Sequence, residues 1–364
     1  MFKFCDLIEE VSEFNTDLKY GLEDIIGVTI EKGLIPTVAN LTQTVLDKFY
    51  IVRPNTFIYN PRTHGVRLGM GFNETDNVYI TSWNNVAFKV KDSAKQIVLP
   101  KYLWLYFLRP DWDRLSNFLA WGSSTIVFAW KDFLDIEISL PSIEKQCEIV
   151  AEYNTLATRI ETNKKLIATL EQTAQTLFKK WSSENPHDCL FDDVAKIVMG
   201  QSPEGDFVNK EGIGEPLLNG PTEFGLFSPT PVQWTTTPKR MCENGDVLFC
   251  VRGSTTGRMN YANQRYAIGR GLAAIRARKK HYHWCIRLLL DQYMQDILAS
   301  ATGSTFPNVS SDMISKLKIV VPDDEIMKIN ASAGEELIEL IGLKSSENQT
   351  LTQMQTLLLS KMGA

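Results

Sequence analysis

The sequence has little that could do chemistry unaided. Its six cysteines, Cys5, Cys147, Cys189, Cys242, Cys250 and Cys285, stand singly along 364 residues. With no Cys-x-x-Cys pair, a zinc ribbon or a disulfide framework is excluded, and a reducing cytoplasm is the expected setting. No apolar run approaches the roughly eighteen residues that a membrane span needs. The opening "MFKFCDLIEEVSEFN" turns acidic early and has no signal-peptide core. His281 and His283 flank Tyr282, but no further ligand at metal-binding spacing accompanies them, so no metal is expected. "GRGLAA" from Gly269 matches a dinucleotide fingerprint by letter only, because it leads into "IRARKK", which is strand-like and basic. "GSTTGR" from Gly253 lacks the lysine and the spacing of a phosphate-binding P-loop. "PDDEIMK" from Pro322 lacks the carboxylate-x-Lys of common nucleases, and its acids suit a helix N-terminus. No catalytic residue is expected.

Glycine and proline are also missing where it matters. None occurs from Ser142 to Asn185. Within that stretch Ile149, Tyr153, Leu156, Ile160, Asn163, Ile167, Leu170, Ala174 and Leu177 recur at spacings of four and three. The 3.5-residue period is the seam of a coiled coil, and one stripe on a long helix needs a partner. "SSENP" from Ser182 breaks the helix.

The partner is supplied by repetition. "GSSTIVFAWKDFLDIEISLP" (Gly122 to Pro141) and "GSTFPNVSSDMISKLKIVVP" (Gly303 to Pro322) lie 181 residues apart. Each precedes about forty residues of helical pattern. After Pro322 the apolar stripe is Leu337, Leu340, Ile341, Leu351, Met354, Leu357 and Leu358, with Leu337, Ile341, Leu351 and Leu358 on the seam. Gly334 and Gly342 interrupt it at about 1 kcal/mol each. Asn163 and Asn348 either set register or sit at the stripe's edge.

The segments before the helices repeat more faintly. "TFIYNPR" (Thr56 to Arg62) parallels "DVLFCVR" (Asp246 to Arg252). "YITSWNNVAFKV" (Tyr79 to Val90) parallels "YAIGRGLAAIRA" (Tyr266 to Ala277). "PKYLWLYFLRPDW" and "HYHWCIRLLLDQYMQDIL" follow as helix candidates. The expected fold is α+β: two mixed modules over 1–140 and 183–321, joined by helices over 141–182 and 322–364 that form an antiparallel coiled coil with pseudo-two-fold symmetry. Forty residues of helix make a rod of roughly 60 Å.

Net charge is −5, yet Lys239 to Arg287 holds eleven Lys or Arg against Glu243 and Asp246, while residues 1–46 hold three Lys against eight acids. Such a segment suits a polyanion. In the second module Arg252, Ser254, Thr255 and Arg258 crowd around Gly253 and Gly257, and Arg270 stands between two glycines. Glycine lets a backbone approach closely, hydroxyls bond phosphate, and Arg grips phosphate or guanine bidentately. The comparable residues of the first module are Arg62, Thr63, His64 and Arg67, with Asn84 and Asn85 because Asn pairs with adenine. Gln201 joins the candidates.

The doubled Gly-Ser-Thr…Pro phrase with its long helix, "GQSP" (Gly200 to Pro203), "GDVLFCVRGSTTG" (Gly245 to Gly257) and "IGRGLAAIRA" (Ile268 to Ala277) together resemble the specificity subunits of type I restriction–modification systems. The resemblance spans essentially the whole chain, although the first module lacks the "GQSP" and "GDVL…RGS" phrases and carries "NPRTHGVRLG" instead. It implies two target-recognition domains, each reading half of a bipartite DNA site. It implies helices that set the spacer and dock two modification subunits holding S-adenosylmethionine, with restriction subunits as further partners. It implies no cofactor in this chain. Adenine methyltransferases of the related kind carry an Asn/Asp-Pro-Pro-aromatic loop, and the only Asn-Pro steps here are "NPR" and "NPH". The rival expectations are a chain that itself cleaves or modifies DNA, and a coiled-coil scaffold that never touches DNA.

Overall fold

Four short strands carry each module. In this computed structural model, which describes residues 1–37, 44–63, 67–122, 126–303 and 307–362, the first sheet comprises β1 (Ile8–Glu10), β2 (Thr56–Tyr59), β3 (Met70–Phe72) and β4 (Val86–Val90), in the spatial order β1-β4-β2-β3. After the long helix α1 (Ile143–Glu184), the second sheet comprises β5 (Ala195–Met199), β6 (Val247–Cys250), β7 (Met259–Tyr261) and β8 (Leu272–Ala277), in the order β5-β8-β6-β7. The order is the same in both, every pairing is antiparallel, and helix α2 (Asp324–Lys361) follows the second.

The repeated apolar runs explain the sheets. All four residues of β2 and all four of β6 are buried. Alternate side chains point to opposite faces of a strand. Phe57 and Tyr59 enter the main core of the first module, while Ile58 packs on the other side with Ile26 and Val52. Val247 and Phe249 enter the main core of the second, while Leu248 and Cys250 pack opposite. Burial on both faces requires a continuous hydrophobic run, and that run is what "TFIY" and "VLFC" share.

A further repeat escaped the sequence reading. Phe4–Leu7 and Phe191–Val194 are single helical turns. Asp6 and Asp193 each accept a hydrogen bond from the backbone N–H three residues earlier, Lys3 at 3.2 Å and Leu190 at 2.8 Å. Phe4 and Phe191 are fully buried. Before each turn a strand pairs antiparallel with the strand that leads out of the module: Phe2–Lys3 with Glu137–Ile138, and Pro186–Leu190 with Lys318–Pro322.

The modules differ in their additions. The second has a five-stranded sheet, in the order Val208–Asn209, Gln233–Thr235, Glu215–Leu218, Tyr266–Ile268 and Met241–Cys242. Among the described residues the first has two strand pairs instead, Ile26–Val28 with Leu34–Pro36 and Tyr50–Val52 with Tyr79–Thr81. "GRGLAA" opens β8, a strand, as its basic continuation predicted.

The chain divides into two compact units, 1–158 with 352–364, and 159–351. Each unit holds one module with a stretch of both long helices, so the division passes through the helices rather than at their ends. In the first unit Gln146, fully buried, donates to Ile97 O at 2.8 Å and Pro141 O at 3.0 Å and accepts from Leu99 N at 2.9 Å. It ties the start of α1 to the module, and Ile149, Val150 and Met362 pack on the module's core. In the second unit the two helices touch in antiparallel sense: Arg159 meets Glu347, Asn163 meets Asn348, and Ala174 and Phe178 share a core with Leu337 and Ile338. Tyr153, Leu156, Ile160, Ile167, Leu170, Leu177, Leu351 and Leu358 are half-buried and Ile341 is buried, as the seam requires. Leu340, Met354 and Leu357 of the expected stripe are exposed instead, one step off the seam. Among the described residues no helix is long and apolar enough to cross a membrane.

Candidate nucleic-acid interface

The candidate residues of the second module, spread over seventy positions of sequence, converge on one end of its four-stranded sheet. Leu272 pairs with Cys250, and Phe249 with Met259, at that end. Arg252 lies two residues beyond β6, Arg258 immediately before β7, Arg270 two residues before β8, and Gln201 two residues after β5. Backbone bonds knit them together. Val251 N donates to Gly271 O at 3.0 Å, Gln201 N to Ile268 O at 2.9 Å, Cys250 N to Arg258 O at 2.9 Å, and Ile268 N to Arg240 O at 3.0 Å. Arg270 N donates to Ser202 Oγ at 3.3 Å.

The β6–β7 turn uses its glycines for their backbone freedom: Gly253 and Gly257 have φ of 84° and 93°. Thr256 closes the turn, its hydroxyl donating to Gly253 O at 2.8 Å and lying 3.0 Å from Pro307 O. Arg252, Ser254 and Arg258 are left exposed, with Thr255 half-exposed. Arg252 also bridges Asn308, so the arginine meets the chain that follows the second Gly-Ser-Thr phrase.

The basic run sorts into paired and free charges. Arg276 donates from Nε and Nη2 to the two oxygens of buried Asp246 at 2.8 and 2.7 Å, and its guanidinium is held above its ordinary pKa by that bond. Arg278 pairs with Asp192, Lys279 with Asp324, Arg265 with Glu243 and Lys239 with Glu204. Arg287 lies over the Tyr261 ring. Arg240, Arg252, Arg258, Arg270 and Lys280 are exposed and have no ion pair among the described residues. Three of these five are the sequence candidates. Arg240 was not among them, because only the fold sets it opposite Ile268.

The histidines are otherwise engaged. His281 Nε2 lies 2.8 Å from Asp324, and His283 Nε2 lies 3.0 Å from Gly245 O. The Cys242 and Cys250 thiols are pushed up to about 12, with burial the largest cause, and stay protonated.

The first module presents the same end of its own sheet. Val86, Tyr59 and Met70 line up there. Arg62 lies beyond β2, Arg67 before β3, and Asn84 and Asn85 before β4. Arg62 pairs in register with Val127, and Thr63 with Ile126, as Arg252 bridges Asn308 in the second module. Arg62 and Arg67 are exposed and without an ion pair among the described residues. Asn84 is exposed, its amide on Ser82 Oγ at 3.3 Å. Asn85 departs from expectation: it is buried, and its amide donates to Thr81 Oγ1 at 2.8 Å inside the turn, so it has little left for a ligand. His64 lies outside the described residues, as do Ser123, Ser124, Ser304 and Thr305 of the doubled Gly-Ser-Thr phrase. Trp121, 72% exposed, bridges Val127, the register partner of Arg62, and carried no signal in a charge-based reading.

A family model, "Type I restriction modification DNA specificity domain", matches residues 20–172 and again residues 191–353. The MjaX type I restriction enzyme specificity subunit of Methanocaldococcus jannaschii is 29% identical over 237 residues, 59% of this chain and 56% of that protein. The HindI specificity subunit of Haemophilus influenzae is 28% identical over 111 residues, 30% of this chain and 23% of that protein. The chain thus aligns with about half or less of these curated relatives. The crystal structure of a type I restriction–modification S subunit from M. genitalium shares the fold, with a TM-score of 0.60 and 16% identity over 100% of this chain and 95% of that one. With both repeats matched, this chain belongs to the type I restriction–modification DNA specificity family.

Proposed function

We propose that the chain is the DNA-reading specificity subunit of a type I restriction–modification complex. Each module reads one half of a bipartite target with the sheet end described above. The paired helices set the spacer and dock two modification subunits, which hold S-adenosylmethionine and methylate adenine; restriction subunits are a further set of partners. The chain itself contributes no catalytic residue. The observation that carries this reading is the gathering of unpaired arginines at equivalent ends of two copies of one sheet, while Lys239, Arg265, Arg276, Arg278, Lys279 and Arg287 of the basic run are held in ion pairs or over a ring. Free arginine can meet phosphate or the O6/N7 edge of guanine, while a paired one is already occupied.

The test is methylation mapping in cells that carry the whole complex. The wild type is expected to give one bipartite motif. Arg252→Ala is expected to weaken or relax one half of that motif and leave the other intact. Equal loss at both halves, or none at either, overturns the reading.

A further inference from the structure

Beside Arg270, two parallel strands of the five-stranded sheet, Glu215–Leu218 and Tyr266–Ile268, end together. Asn219 follows the first and Gly269 the second, and Gly269 N donates to Leu218 O at 2.8 Å. The glycines make room for the asparagine. A Cβ on Gly269 would lie 2.4 Å from Asn219 Oδ1, and one on Gly271 would lie 2.5 Å from the Asn219 carbonyl oxygen. Gln233 stands on the next strand, in register with Leu217. Asn219 Nδ2 donates to Gln233 Oε1 at 3.1 Å. Both residues line an open groove with Ser202 and Asn209.

Each amide engages one of its two polar groups with the other, Asn219 through Nδ2 and Gln233 through Oε1. Gln233 Nε2 and Asn219 Oδ1 take no part in that bond and have no protein partner among the described residues. The pair therefore offers one fixed donor and one fixed acceptor. A phosphate only accepts, so it would leave the oxygen facing an anion. Among base edges in the major groove, guanine offers two acceptors, cytosine a donor, and thymine an acceptor and a methyl group. Adenine offers an acceptor, N7, next to a donor, N6–H.

We propose that Asn219 and Gln233 together read one adenine of the half-site bound by the second module, with Gln233 Nε2–H donating to N7 and Asn219 Oδ1 accepting from N6–H. The inference rests on the sheet end being the DNA face, and it names residues that belong to neither the basic run nor a glycine-rich turn.

The test uses the chain assembled with its modification subunits, selecting from a library of randomised duplexes flanking the motif found in cells. The wild type is expected to fix one adenine in the second module's half-site. Asn219→Ala is expected to relax that position by roughly 10- to 100-fold, the discrimination of one bidentate contact. Gln233→Glu replaces a donor with an acceptor and is expected to disfavour adenine there and favour cytosine, whose N4 donates. The other half-site stays unchanged in both variants. An unchanged base preference in both variants overturns the inference, and so does a uniform weakening at every position. Arg252→Ala in the same selection separates the two levels. If it alters the second half-site while Asn219→Ala and Gln233→Glu do not, the adenine assignment fails alone. If none of the three alters it, the DNA-face reading fails too.

Discussion

Arg252 and Arg276 look alike in the sequence and have opposite prospects in the structure. Arg276 satisfies a buried carboxylate, whereas Arg252 is free. Arg276→Ala leaves Asp246 buried without its partner and is expected to destabilise the chain by roughly 1.5–3 kcal/mol, the range for hydrogen bonds to charged groups. Denaturant unfolding will measure it. Arg252→Ala is expected to leave the unfolding midpoint unchanged. Its effect belongs to DNA: if Arg252 meets a phosphate, the slope of log affinity against log salt falls by about one. The charge excess was legible in the sequence, but its division into paired and free was not. Asp192, Glu204 and Asp324, which neutralise Arg278, Lys239 and Lys279, lie outside the run that was counted. Asn85 misled for a related reason, since an exposed turn and a buried one read alike in letters.

At the scale of elements, the seam of α1 was legible because a helix's periodicity is local to its own sequence. The glycines of α2 were not, because their explanation lies elsewhere in the chain. A Cβ on Gly334 would lie 2.2 Å from the Trp284 ring, and one on Gly342 would lie 2.8 Å from the Phe227 ring. Trp284 is itself wedged edge-to-face against Phe178 and Trp181 of α1. The two glycines are thus seats for aromatic side chains of the module. In a free helix Gly→Ala gains about 1 kcal/mol. Here Gly334→Ala is expected to destabilise by about 1–3 kcal/mol through overpacking, and the sign of the change in a urea melt decides between the two. The Asn163–Asn348 pair lies within the seam rather than at its edge: both residues are buried, and Asn163 Nδ2 donates to Asn348 Oδ1 at 3.0 Å, the arrangement that a register device would need. The helix pair also carries a pH dependence. Hydrogen bonds from Arg159 and Lys344 hold the Glu347 carboxyl at about 2, below its ordinary 4.5. A carboxylate lowered on folding lends its stability above the unfolded value and loses it as pH falls toward the folded one. The helix contact is therefore expected to weaken as pH drops from 4.5 toward about 2. Arg159→Ala should flatten that dependence in thermal melts across the window. The charges are exposed, so the effect is modest and shrinks with salt.

At the scale of the molecule, the tandem duplication was legible from the doubled Gly-to-Pro phrase, because that phrase ends where each helix starts. The five-stranded sheet of the second module was not, since its strands are two to four residues long with irregular turns between them. The adenine-reading pair proposed above lies on that sheet and stayed hidden with it. The ruler role assigned to the helices gives a prediction of its own. Removing one heptad from each helix shortens both by about 10.5 Å at 1.5 Å per residue, or about three base pairs at 3.4 Å each. Methylation mapping is expected to show the same two half-sites with a shorter gap, and an unchanged gap would remove the ruler.

The strand pair that opens and closes the second module has one more implication. Pro186–Leu190 and Lys318–Pro322 lie side by side, so the chain enters and leaves the module through one zipped clasp whose two ends sit where α1 stops and α2 starts. A different module with the same clasp, and with aromatic side chains to fill the seats at Gly334 and Gly342, can be spliced in without rethreading either helix. Under the proposed function, such an exchange would change one half of the bipartite target and leave the gap between the halves untouched.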